Sequence, residues 1–138
     1  MNSSMTGSCA CGAVTYAIEG APLFAGKCYC NGCRKSSRTG HSAIVGVLET
    51  ACKISGPLTD YAVDREASTA TKRFCPVCGT MIATLSTKYA GVVSINAATL
   101  DDPELFKPQF SVFASRAPSW DPVSTEIPSF AETPPRPE

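Results

Sequence analysis

The chain has 138 residues, 12 Lys plus Arg against 12 Asp plus Glu, and eight cysteines. That length suits one domain with a real core, and the balanced charge argues against a nucleic-acid binder, which usually carries a basic excess. No apolar run approaches the roughly 20 residues that a membrane span needs, so no membrane partner is expected.

In chain order, the opening Met1-Asn2-Ser3-Ser4-Met5-Thr6 lacks the basic and apolar regions of a signal peptide. The expected compartment is therefore the reducing cytoplasm. Ala13–Ile18 reads as a strand closed by Gly20 and Pro22,. Leu23–Cys28 is a weaker strand, and Asn31–Ser37 has room for a turn or two of helix. Ser42–Leu48 is a strand, and Cys52–Ser55 is another, ending at the Gly56-Pro57 turn signal,. Further strands are expected at Thr69–Phe74, Thr80–Leu85, Val92–Asn96 and Gln109–Val112 with Phe113. Asp101-Asp102-Pro103-Glu104-Leu105-Phe106 carries an acid before a proline, which suits a single capped helical turn. Many short strands with frequent turn signals predict a mainly β fold. It is expected to occupy residues 1–127, with an extended Pro-rich C-terminal tail over 128–138.

The cysteines fall in three clusters: Cys9-Ala10-Cys11-Gly12, Cys28-Tyr29-Cys30-Asn31-Gly32-Cys33 and Cys75-Pro76-Val77-Cys78-Gly79. Residues two apart on an extended chain point to one face, so a C-x-C pair can grip one ion. Its members are poorly placed to bridge each other, because disulfide geometry is restrictive. A C-x-x-C pair followed by Gly forms a metal-binding knuckle, since Gly tolerates the backbone angles of the turn. Structural zinc takes four ligands, and thiolates suit it. Cys9, Cys11, Cys75 and Cys78 sum to four. Cys28, Cys30 and Cys33 offer three, which is the ligand number that leaves a catalytic zinc one open position. Other partitions remain: a pair could join two of the middle cysteines, or Cys52 or His41 could complete the three. Iron–sulfur clusters also use four cysteines.

These motifs, in this order and followed by Leu100-Asp101-Asp102-Pro103 and Trp120, resemble the GFA family. That family comprises the glutathione-dependent formaldehyde-activating enzymes and also includes centromere protein V. The resemblance runs from Gly7 to about Trp120. It implies a small zinc-binding domain of packed short antiparallel sheets. It implies two zinc ions: a structural one on Cys9, Cys11, Cys75 and Cys78, and a catalytic one on Cys28, Cys30 and Cys33, where three ligands would hold an ion less firmly than four. The implied activity is that of a carbon–sulfur lyase or S-(hydroxymethyl)glutathione synthase, acting on a small-molecule thiol such as glutathione. The alternative is a non-catalytic zinc module for protein interaction. A ligand at the middle site from Cys52, His41 or a partner would favour that alternative.

Charge supports the thiol reading. Three thiolates on Zn²⁺ carry a net charge of about −1, which makes a poor Lewis acid for water but a suitable seat for a soft sulfur. Lys27, Arg34, Lys35 and Arg38 flank the middle cluster. They could offset that charge or meet substrate carboxylates, although each singly also reads as solvated surface charge. Cys52 has no partner at ligand spacing and reads as a small apolar residue. His41, the one histidine, reads more readily as structural than as catalytic. Tyr29 fits either the core or a place near substrate, Phe113 and Trp120 the core or a pocket wall, and Asp101 and Asp102 the cap of a turn.

Overall fold

A computed structural model describes residues 4–64 and 68–133. Ten strands are placed there: β1 (Ser4–Ser8), β2 (Thr15–Glu19), β3 (Phe24–Cys28), β4 (Ser42–Leu48), β5 (Cys52–Ser55), β6 (Thr59–Asp64), β7 (Thr69–Phe74), β8 (Met81–Ser86), β9 (Val92–Asn96) and β10 (Phe110–Val112). One helix, α1 (Asn31–Ser37), joins β3 to β4. Short 3₁₀ turns complete the connections. Pro103–Leu105 is one of them, and Asp102 caps it by accepting a hydrogen bond from the Glu104 N–H at 3.0 Å.

The strands form two sheets. The smaller has the order β1-β2-β5 and the larger β10-β3-β4-β9-β8-β7-β6. Every named pairing is antiparallel except β10 on β3. The fold is thus mainly β, as the run of short apolar segments requires. Two strands go beyond the sequence reading. In β1 only Met5 and Gly7 are buried, so a single bulky apolar residue carries the alternation; β6 is an edge strand with no fully buried residue.

Period-two alternation decides what each face of the large sheet does. Val45, Val47, Val93 and Ile95 face Met5, Tyr16 and Ile18 of the small sheet, and together they form the core. Val45, Ile95 and Ala83 stand in register across three strands of it. The neighbouring row belongs to the opposite face. It runs Lys72–Thr84–Ser94–Gly46–Phe24 across β7, β8, β9, β4 and β3. On that face a Cβ at Gly46 would meet the Phe24 ring at 2.1 Å, and one at Gly26 would meet the Phe110 ring at 2.5 Å. Aromatic rings therefore lie directly on the backbone of the sheet at its β3–β10 end.

The chain beyond Pro128 runs along β10. Ser111 N–H donates to Pro128 O, Phe130 N–H to Ser111 O, and Phe113 N–H to Glu132 O. The described start of the Pro-rich segment is thus extended and hydrogen-bonded. Pro134, Pro135 and Pro137 lie outside the described residues.

Candidate metal centre

Two chain reversals, distant in sequence, build the first sulfur cluster. Cys9 opens the turn after β1, and Gly12 closes that turn with φ 80° and a bond from its N–H to Cys9 O. Cys75 follows β7, and Gly79 does the same with φ 80° and a bond to Cys75 O. Both angles lie in the left-handed region that glycine alone enters freely. The Sγ atoms of Cys9, Cys11, Cys75 and Cys78 all lie within 4.8 Å of one another. Cys9 and Cys11 sulfurs are 3.6 Å apart, and those of Cys11 and Cys75 are 3.8 Å apart. A tetrahedral ion with ~2.3 Å metal–sulfur bonds places its sulfurs roughly 3.8 Å apart. A disulfide would need ~2.05 Å. The cluster fits a metal ion and does not fit a disulfide.

Thr80 serves both halves of this cluster. Its Oγ1 accepts from Ala10 N–H at 3.1 Å and lies 3.2 Å from Cys78 Sγ. The hydroxyl and N–H of Thr80 hold the Cys78 thiol down at about 5. Burial opposes ionisation at Cys9, but the Val14 N–H on its sulfur and neighbouring thiols leave it below the ordinary value. Cys11 has the support of the Ala13 N–H, yet burial and three surrounding sulfurs push it up to about 11. The four thiols thus compete for few ionised places until a cation joins them.

The second cluster lies at the β3–α1 junction. Cys28 ends β3, Cys30 is the N-cap of α1, and Cys33 stands in its first turn. Cys30 Sγ accepts the Cys33 N–H at 3.3 Å, so the cap itself folds the three sulfurs inward,. The three Sγ atoms also lie within 4.8 Å of one another. Among the described residues no His, Asp, Glu or further Cys joins them. The hydrogen-bonded neighbours Cys30 and Cys33, with burial, push the Cys28 thiol up. At Cys33 the contact with Cys28 favours ionisation, but Cys30 and burial outweigh it and the thiol is raised; Lys72 pulls the other way. An apolar wall of Val112, Phe110, Phe113 and Phe130 packs against this triad.

The other flagged residues take definite places. Cys52 is partly buried against the main core, and burial raises its thiol. His41 Nδ1 lies 2.6 Å from Asp121 Oδ2, and its ring stands 4.9 Å from that of Tyr29. Tyr29 is 1% exposed. Asp121 presses on the Gly40 backbone so closely that a Cβ there would meet its carboxylate at 2.1 Å. The His41–Asp121 pair thus fastens the late loop over Tyr29. Trp120 departs from the sequence reading: it is 68% exposed rather than core, because its neighbour Asp121 makes the inward contact. Arg34 pairs with Asn31. Arg38 ends α1 in the left-handed region, and its guanidinium lies 3.4 Å from where a Gly79 Cβ would be. Asp101 accepts from Thr6 Oγ1 at 2.7 Å. Sequence reasoning missed Lys72. It is only 8% exposed, and the one sign was a charge sharing a strand face with Ala70.

The fold and the clusters define a two-sheet β protein with two cysteine sites able to hold metal ions. Its particular place follows from comparison: the family profile for glutathione-dependent formaldehyde-activating enzymes matches residues 4–116. The chain belongs to the GFA family. A crystal structure of a Rhodobacter sphaeroides protein, solved as a structural-genomics target, is similar at TM-score 0.60 and 23% identity over 75% of this chain and 97% of that one. That likeness concerns the fold. No curated protein sequence matches the chain. No helix among the described residues is long and apolar enough to cross a membrane.

Proposed function

We propose that the chain is a zinc-dependent carbon–sulfur lyase that interconverts a glutathione-type thiol and its formaldehyde adduct. The observation that carries this reading is the three-sulfur cluster at the β3–α1 junction, which no fourth ligand from the described residues completes. Cys9, Cys11, Cys75 and Cys78 would hold a structural ion, and Cys28, Cys30 and Cys33 a second one. Zinc bound at the triad supplies a place for a soft sulfur and lowers its pKa.

The chain's own residues do the rest. Phe113 and Phe130 shield one side of the triad from water. Lys72 brings positive charge toward Cys33, and so toward an otherwise anionic set of thiolates. In the synthetic direction the thiol sulfur forms a bond to the formaldehyde carbon. The carbonyl π pair moves to oxygen, and the proton given up by the thiol ends there, giving an S-hydroxymethyl thioether. The lyase direction reverses these steps. The reaction needs no redox partner, in keeping with a thiolate site that has no other cofactor fingerprint in the sequence.

The test is spectroscopic. Zinc-loaded protein is examined by X-ray absorption before and after millimolar glutathione. A fourth sulfur entering the second site is the expected result. An unchanged environment overturns the proposal.

A further inference from the structure

The outer face of the large sheet carries a feature that the sulfur chemistry leaves unused. Lys72, Thr84 and Ser94 stand side by side on β7, β8 and β9, in direct register. Adjacent strands are ~4.8 Å apart, so the three side chains form one continuous row. Lys72 is only 8% exposed. The ion pairs among the described residues involve His41, Arg73 and Arg116 and leave Lys72 without an acidic partner. Neither the Thr84 nor the Ser94 hydroxyl has a hydrogen-bond partner among the described residues. Three adjacent donors with no hydrogen-bond acceptor among the described residues offer a place for an anion.

Beside this row lies a slot between α1 and the sheet. Ser36, Ser37, Ser42, Thr84, Ser94 and Asn96 line it, together with apolar side chains, and no acid does. Its free volume is about 20 Å³, on a measure where one water needs roughly 10–15 Å³. That admits a small planar group such as a carboxylate and excludes a ring. The slot also adjoins the triad. Ser42 Oγ donates to Cys33 O at 3.0 Å and Ser36 Oγ to the same oxygen at 3.3 Å, and Lys72 is within electrostatic reach of Cys33.

We propose that Lys72, Thr84 and Ser94, with the slot under α1, form an anion subsite that binds a carboxylate of the thiol substrate whose sulfur lies at Cys28, Cys30 and Cys33. This rests on the function proposed above and sharpens it by naming the residues that would hold the substrate's carboxylate. An ammonium–carboxylate bond in a half-closed site is of the charge-assisted kind, so removing the cation weakens binding steeply.

Calorimetry on the zinc-loaded protein tests it with three probes. Glutathione offers both thiol and carboxylates, S-methylglutathione only the carboxylates, and 2-mercaptoethanol only the thiol. Lys72→Met should weaken S-methylglutathione, which brings carboxylates but no free thiol, by about tenfold or more and 2-mercaptoethanol by clearly less. Thr84→Asp keeps the lysine but places a carboxylate directly across from it, and should give the same pattern; it decides the matter if Lys72→Met fails to fold. Wild-type affinity for S-methylglutathione in both variants overturns the subsite, as does a wild-type protein that ignores S-methylglutathione. If glutathione binds no more tightly than S-methylglutathione, and 2-mercaptoethanol not at all, the sulfur chemistry falls while the subsite stands.

Discussion

Thr80 shows how much one hydroxyl can do at a sulfur cluster. It orients Cys78 and receives the Ala10 N–H, so it spans both turns that meet there. Because Cys78 is lowered to about 5 from 9.0, its thiolate favours the folded state above the unfolded value. That benefit fades as pH falls toward 5. Protons and metal compete for the same lone pair. Thr80→Val should therefore raise the pH at which metal is released, by on the order of one unit. An acid titration with a chromogenic chelator would show it; an unmoved midpoint would mean that Thr80 is only a spacer. The sequence displays Thr80 beside the knuckle but not its second contact, since Ala10 is 70 residues away. Lys72 was hidden for the same reason: its meaning depends on which strands lie beside it.

At the scale of elements, α1 is the informative one. Seven residues are too few for a helix to persist in water unaided, and none of them is fully buried. A cysteine sulfur caps its N-terminus and the left-handed Arg38 closes its C-terminus, donating its N–H to Arg34 O. The motif C-x-C-x-x-C thus specifies a helix start as well as a ligand set, which is why Asn31–Ser37 could be read directly. Serine is itself a good N-cap. Under the proposed two-ion assignment, Cys30→Ser should keep the helix while the second ion is lost. Cys30→Ala should lose the ion and in addition about 1 kcal/mol of stability from the cap. Metal analysis with thermal melts of the metal-free proteins separates the two effects; equal melting points would deny the cap any role. β6 was illegible because an exposed edge strand needs no apolar alternation. Most other strands were legible because one face of each is buried.

Across the whole molecule the two clusters sit in different mechanical settings. Cys9 and Cys75 belong to the main core, whereas Cys28 and Cys30 pack in a separate small one. Loss of a ligand should be felt accordingly. Cys78→Ser should lower the melting temperature by ten degrees or more, on the order of 3 kcal/mol or beyond for a domain of this size. Cys30→Ser should shift it by only a few degrees. Matching melts for the two variants would overturn the division into fastening and working sites. That the sulfurs within each motif approach one another was readable from spacing because chelation geometry is local there, whereas spacing left open which motifs share an ion, since Cys11 and Cys75 are 64 residues apart. The slot under α1 was not readable, because it is assembled from three strands and a helix that only the topology brings together.

The four-sulfur cluster also sets a timetable. Cys11 and Cys75 are 64 residues apart. On a growing chain made at about 5–20 residues per second, the first pair waits roughly 3 to 13 s for the second to be synthesised. During that interval Cys9 and Cys11 have half a coordination shell. Any ion they catch is held by two sulfurs and is easily traded. Commitment comes only when the knuckle at Cys75 emerges and closes the long loop, so the nascent protein passes through a stage in which its thiols are open to exchange and oxidation.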